Sequence, residues 1–253
     1  MASCSCITTE YFSGQGAVLL AERVAGAPTG FTAVGNVSAL AISVEREVFE
    51  HKESCSGSRA IDLEITTEIN STVSMTVEHF SKENLALALF GTSASVMGST
   101  VMDEGITARH DKAVALARIK VSAVTVTDST GMTTYTLDTD YTLCAEFGTI
   151  TALSTGAITD AQALLVDYTF ATQETVDALT ASAPERWMRF EGLNTASSNK
   201  EVLIDIFRFQ GAPLAELAMI GDEITQMEVE GKALVDAFQT GGGSQVFRIT
   251  KVV

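Results

Sequence analysis

Between Ile61 and Val77, apolar side chains hold nearly every odd position: Ile61, Leu63, Ile65, Ile69, Val73, Met75 and Val77. Polar residues hold the even ones, from Asp62, Glu64, Thr66 and Glu68 through Asn70, Thr72, Ser74 and Thr76. A period of two predicts a β-strand with one buried face, because successive side chains of a strand point to opposite sides. No Gly or Pro interrupts the run. At about 3.3 Å per residue it would extend about 50 Å or more, against ~17–20 Å for an ordinary strand. Ser81 then stands as an N-cap ahead of Lys82-Glu-Asn84 and the apolar Leu85–Phe90, with Gly91 as the C-cap. A long strand therefore feeds one short helix over 81–91.

The preceding segment completes a hairpin. Leu40, Ile42, Val44 and Val48 are apolar at even positions, while Ser43, Glu45 and Glu47 are polar at odd ones. With Phe49–Ala60 as the connecting loop, the apolar faces match when paired residue numbers sum to an odd value. That register sets Val44 opposite Ile65 and Val48 opposite Ile61, and brings Glu47 near Asp62 and Glu45 near Glu64. Like charges across a sheet cost something within ~0.2–1 kcal/mol. An acidic face made of Glu45, Glu47, Asp62, Glu64 and Glu68 is thus the most informative feature of the chain. An ordinary solvated face is the plainer reading of it. The loop is long for a hairpin, whose connections usually take about 2–5 residues. Its residues Phe49, Glu50, His51, Lys52, Glu53 and Arg59 suit pairing with another molecule; a mobile polar tip is the alternative.

Three features together resemble the major tail tube protein of a long-tailed, siphovirus-type bacteriophage. They are Gly35-Asn-Val-Ser-Ala-Leu-Ala-Ile-Ser-Val-Glu-Arg-Glu47 with the loop containing Ser56-Gly57, the alternating strand, and Ser81-Lys-Glu-Asn-Leu-Ala-Leu-Ala-Leu-Phe-Gly91. The likeness covers most of the chain, strongest over about 35–91 and again from about 119. The order of elements carries it rather than any one motif. It implies a mainly β tail-tube sandwich or barrel with one short α-helix and a long hairpin loop, plus a small inserted β module. It further implies hexameric rings stacked into a hollow conduit, with the five carboxylates facing the lumen and residues 49–59 bridging rings. The implied partners are other copies of the chain, a tape-measure protein and tail-end proteins, with DNA passing through without specific binding. The implied location is the virion tail, after assembly in the bacterial host cytoplasm.

A net charge of -16 argues against binding nucleic acid by phosphate neutralisation, which needs clustered Lys and Arg. At 46% hydrophobic and 19% charged, the chain has the means to bury a sizeable core. The first ten residues have neither a basic segment nor an apolar run, so no signal peptide is expected. No apolar run approaches the ~20 residues of a membrane span, so no membrane anchor is expected. Cys4, Cys6, Cys55 and Cys144 lack a disulfide-scaffold spacing and are expected to remain thiols.

Further along, residues 1–16 read as a loose arm, Ala17–Val24 as a strand and Gly26–Gly30, with Pro28, as a turn. Thr92–Ala117 is less periodic and reads partly as loop. Short alternating runs follow from Ile119, with turns at Asp128-Ser-Thr-Gly131, Asp140 and Gly156 and a short strand over Thr133–Leu137. This section resembles a module found in phage tail proteins. The expected division is 1–118 as the first part of the core, 119–172 as an inserted module on the outer surface, and 173–253 as the second part. Trp187–Asn194 and Val202–Gln210 read as paired strands. Pro213–Gly221 reads as a short helix or an irregular lead into the last strands, Ile224–Glu230 and Val246–Val252.

No catalytic or cofactor pattern emerges. His51, His79 and His110 lack metal-ligand spacing, and His79, on the apolar parity of the long strand, is expected to be partly buried. Cys144 has no His near it in sequence, and Gly241-Gly-Gly-Ser244 lacks the Lys of a phosphate loop. No enzyme activity, metal or cofactor is expected. Two readings compete with a tube subunit: a monomeric β-sandwich binding or capsid decoration protein, and, more remotely, an acid/base hydrolase built on Glu45 and Glu64.

Overall fold

The computed structural model describes residues 10–55 and 57–252. Cys4, Cys6 and most of the N-terminal arm lie outside the described residues. The fold is mainly β with one short helix, and among the described residues no sheet closes into a barrel. The chain divides into two compact units. The first runs up to Thr92 and resumes at Val176; the second is Ser93–Thr175.

The first unit holds β1 (Gly14–Val24), β2 (Ala27–Ala33), β3 (Val37–Lys52), β4 (Ile61–Val77) and α1 (Lys82–Ala88). After the second unit it adds β13 (Glu185–Asn194), β14 (Lys200–Gly211), β15 (Met227–Ala233) and β16 (Phe247–Lys251). Its eight strands form one antiparallel sheet in the order β2-β1-β13-β14-β15-β4-β3, with β16 also paired to β14. Residues 27–33, expected partly as turn, are a strand because the reversal needs only Ala25 and Gly26. Both have positive φ (48° and 77°), the geometry of a two-residue hairpin turn. A Cβ on Gly26 would also lie 2.3 Å from Phe238.

The core of this unit lies on one face of the sheet. Val18, Val73, Met75, Val77, Met188, Ile206, Phe209, Met227 and Val229 are buried there with Leu87 and Ala88 of α1. The Ser81 hydroxyl accepts the Asn84 N–H (3.2 Å), as its N-cap position predicts. At the other end Phe90, not Gly91, takes the left-handed conformation (φ 50°), and the Gly91 N–H donates to the Ala86 carbonyl (2.8 Å). Residue 91 is glycine for another reason: a Cβ would meet the Asp177 carbonyl oxygen at 2.5 Å. His79, past the end of β4, is exposed rather than partly buried. Residues 213–221 form no helix. Nine residues make a marginal helix, and here Leu214 and Leu217 are taken singly by the core while the Leu214 N–H donates to Ala88.

The second unit contains β6 (Ser99–Thr107), β7 (Ala113–Ala115), β8 (Val121–Asp128), β9 (Tyr141–Cys144), β10 (Thr149–Ala152) and β11 (Ala163–Phe170). They form two three-stranded sheets, β6-β11-β8 and β7-β10-β9, around their own core of Val126, Ile150, Ile158, Leu164, Val166 and Tyr168. At its ends, β5 (Thr92–Val96) pairs with β12 (Gln173–Asp177). The module therefore begins near residue 93, not 119. The partners of β6 and β7 lie some 35–70 residues away in sequence, so local periodicity gave no sign of them. Residues 133–137 form isolated bridges instead of a strand. Asp128 and Asp140 are turn formers. Asp128 Oδ1 accepts the Met132 and Thr133 N–H groups, and Asp140 accepts those of Thr136 and Ala157, each at 2.8 Å.

Candidate assembly surface on the long hairpin

The β3–β4 hairpin changes character along its length. At its base Leu40 and Ile42 of β3 sit opposite Met75 and Val73 and join the core. Beyond Ser71 apolar residues keep recurring in both strands with nothing to cover them. Val44, Phe49, Ile61, Leu63, Ile65 and Ile69 are each 49–68% exposed. The apolar positions expected to be buried throughout are buried only near the base.

Both edges of this distal half are open. β3 ends the sheet, and β15 pairs with β4 only over Thr72–Val77. Among the described residues, Ile61–Ser71 has no strand on its outer side. An unpaired edge presents unsatisfied N–H and C=O groups to any further strand. Neither β3 nor β4 carries a proline, and β4 carries no lysine.

The register differs from the expected one. Val44 faces Ser71, Glu45 faces Asn70 and Glu47 faces Glu68, so β3 pairs six residues further along β4 than expected. β3 runs on to Lys52, which leaves 53–60 as the loop. Phe49, Glu50, His51 and Lys52 are strand residues, and only Glu53 and Arg59 of the expected bridging set belong to the loop. Ser56 lies outside the described residues. The loop closes through the Glu53 N–H to the Ala60 carbonyl (2.9 Å), and the Glu53 carboxylate accepts the Cys55 N–H (2.9 Å).

A shift between Glu47 and Val48 leaves Thr67 as an extra residue on β4. Before it, Arg46 faces Ile69; after it, Phe49 faces Ile65 and Glu50 faces Glu64. Alternation therefore cannot continue unbroken in both strands. The ion pair of Arg46 with Glu64 (2.5 Å) joins residues that unbroken alternation would set on opposite faces, which places the phase change at the β4 bulge. The five carboxylates are accordingly not one stripe. Glu45, Glu47 and Glu68 share a face on the core side of the bulge, while Glu64 meets Arg46 and Asp62 meets His51 (2.6 Å). The expected contacts Glu47–Asp62 and Glu45–Glu64 are replaced by the cross-strand pairs Glu47–Glu68 and Glu50–Glu64.

The structure extends the basal acidic face in a direction the hairpin alone does not reveal. Glu228 and Glu230 of β15 sit opposite Thr76 and Ser74, which sit opposite Ala39 and Ala41. The shared face thus reads Glu45, Glu47, Glu68, Glu228 and Glu230, with small or hydroxylated residues between and Lys232 as a cation at its margin. The signal was present in Met227-Glu-Val-Glu-Gly-Lys-Ala233, an alternating run whose odd positions are all buried or glycine.

Among the described residues no three His, Cys, Asp or Glu side chains are grouped to hold a metal, and no helix is long and apolar enough to cross a membrane. Cys55 and Cys144 are free and exposed. The carboxylates with clear electrostatic roles are structural. Asp236 is 1% exposed, and its carboxylate binds the Arg23 guanidinium (2.8 Å), which also reaches Glu185 (3.1 Å).

Residues 11–250 match a family model described as Protein of unknown function UCP028589, and the chain belongs to that family. No curated protein matches the chain.

Proposed function

We propose that the chain is a structural subunit of a phage tail tube. In this reading hexameric rings stack into a hollow conduit with an acidic lumen, through which DNA passes without specific binding. The observation that carries it is the distal hairpin: two open strand edges and uncovered apolar side chains, which change faces at the Thr67 bulge. Six-fold closure of such edges would satisfy their backbone groups and cover those apolar side chains, as a symmetric ring does. The acidic face of Glu45, Glu47, Glu68, Glu228 and Glu230 then lines the wall and repels phosphate at close range, within the ~8 Å screening length of physiological salt. The second unit is assigned to the outer surface. A tape-measure protein and tail-end proteins are the further partners, the virion tail the location and the host cytoplasm the place of assembly. No catalysis is assigned.

Light scattering over a concentration series with negative-stain microscopy tests the reading. Rings or tubes are the expected outcome; a monomer at every concentration and salt favours a binding or decoration protein instead. If tubes form, Glu47→Lys and Glu68→Lys should leave them intact and slow DNA ejection, because added Lys creates phosphate contacts. Unchanged ejection would reduce the acidic face to a solubility feature.

A further inference from the structure

The last strand offers a second open edge in the first unit, and its chemistry differs from that of the hairpin. β16 pairs with β14 over Val202–Ile206 and with no other strand among the described residues. Beside it lies a groove of about 270 Å³ whose floor includes Val202, Ile204 and Ile249. Ile249 is 57% exposed. Lys200 and Lys251 stand around this floor with Glu10, while Arg248 lies on the opposite face of β16 over the Phe207 ring, and β16 itself has no acidic residue. Lys251 pairs with Glu10 at an exposed position (2.5 Å). Lys200 and Arg248 form no ion pair among the described residues. Asp205, opposite Arg248 across the ladder, is held by both nitrogens of an Arg189 fork.

The hairpin is the complement of this site. Between Glu45 and Glu68 it carries seven carboxylates against three cations, on a chain with few cations to spare. It brings uncovered apolar side chains, among them Phe49, Leu63 and Ile65 on one face, and an open edge to a site that has an apolar floor and an open edge. β3 cannot reach β16 of its own sheet along its outer edge, because β4 occupies its inner side and β15 and β14 follow. We propose that the free edge of β16 and its groove receive the distal β3–β4 hairpin of a second copy of the chain, by strand addition with apolar side chains seated on the groove floor. The two surfaces are different, so the contact is head-to-tail and each copy both donates a hairpin and accepts one. Opposite charge on the two surfaces speeds their encounter and disfavours hairpin-to-hairpin contact.

The proposal rests on the self-assembly reading above and adds the receiving surface to it. The test uses the full chain with a photo-crosslinking benzoylphenylalanine at Phe49, in an equal mixture of ¹⁵N-labelled and unlabelled copies. Mass spectrometry of crosslinked peptides then separates links between copies from links within one. Links between copies to residues 193–204 or 247–252 are expected. A second arm, Lys200→Glu with Lys251→Glu, should raise the concentration needed for assembly at least tenfold while circular dichroism stays unchanged. Links between copies confined to other surfaces, or unchanged assembly of the double variant, overturn the docking and leave the tube reading standing. No link between copies together with monomeric scattering overturns both.

Discussion

The base and the distal half of the β3–β4 hairpin are written in the same code and end in opposite environments. Val73, Met75 and Val77 are 0–2% exposed; Ile61, Leu63, Ile65 and Ile69, at the same odd positions in sequence, are about half exposed or more. The difference lies in what stands beside and above them. β15 covers one edge of β4 as far as Thr72, and α1 with its neighbours covers the core face; beyond Thr72 neither continues. An alternating strand declares that one face needs a cover, and the structure of one chain tells how much of that cover the chain supplies itself. The remainder is the physical basis for reading the distal half as an interface.

Truncation should separate the two halves most strongly. Met75→Ala is expected to cost about 2–5 kcal/mol of subunit stability, the range for emptying a large core position. Ile69→Ala should stay within about 0.5 kcal/mol, as surface changes do. Urea unfolding of the unassembled subunit measures both. Comparable losses would mean that the distal row is covered within a single copy. In an assembly assay the order should invert: Leu63→Ser with Ile65→Ser blocks oligomers without shifting the subunit's unfolding midpoint.

Acid should act where carboxylates are engaged by fixed donors. The Thr136 and Ala157 N–H groups hold Asp140 below the usual carboxylate range. The Thr133 N–H and the Thr130 hydroxyl do the same for Asp128. In the first unit Arg208 lowers Glu185. For Asp236 burial pushes upward, but hydrogen bonds from Arg23, Gln239 and the Phe238 N–H outweigh it. A carboxylate whose folded pKa is depressed contributes fully above its unfolded value, about 4, and loses that contribution as pH falls through the lower folded value. Stability should therefore be flat above about pH 5 and decline below about pH 4. Asp140→Asn should lower stability at neutral pH and flatten that decline, which thermal unfolding at a series of pH values would show. An unchanged slope would remove Asp140 from the acid response.

The smallest expected effect belongs to the ion pair that crosses the bulge. Arg46 and Glu64 are both about half exposed. Glu64→Gln should cost the subunit only about 0.2–1 kcal/mol. Its value is diagnostic: a double-mutant cycle with Arg46→Gln should give a coupling energy above zero if the two side chains share a face. Zero coupling would return the carboxylates to the single stripe that simple alternation predicts.

Much of the fold was legible because it is local. The long strand, the Ser81 cap, the β13–β14 pairing around residues 197–199 and the mainly β character all follow from periods, caps and turn residues within a few positions of one another. The acidic face was legible in part: Glu45, Glu47 and Glu68 followed from alternation, whereas Glu228 and Glu230 needed the pairing of β15 with β4 to bring them alongside. Where tertiary structure decided, the deciding contact was distant or irregular. One extra residue at Thr67 reassigned Asp62 and Glu64, because a period of two inverts after a single insertion. The module boundary moved to residue 93 because β6 and β7 are defined by partners in β11 and β10, not by their own periodicity. Residues 213–221 stayed irregular because Leu214 and Leu217 gain more from the core than nine residues gain from a helix. Sequence by itself determined which faces are apolar and which are charged; only the assembled sheet decided which of those faces this chain covers for itself, since burial depends on neighbours that alternation cannot name.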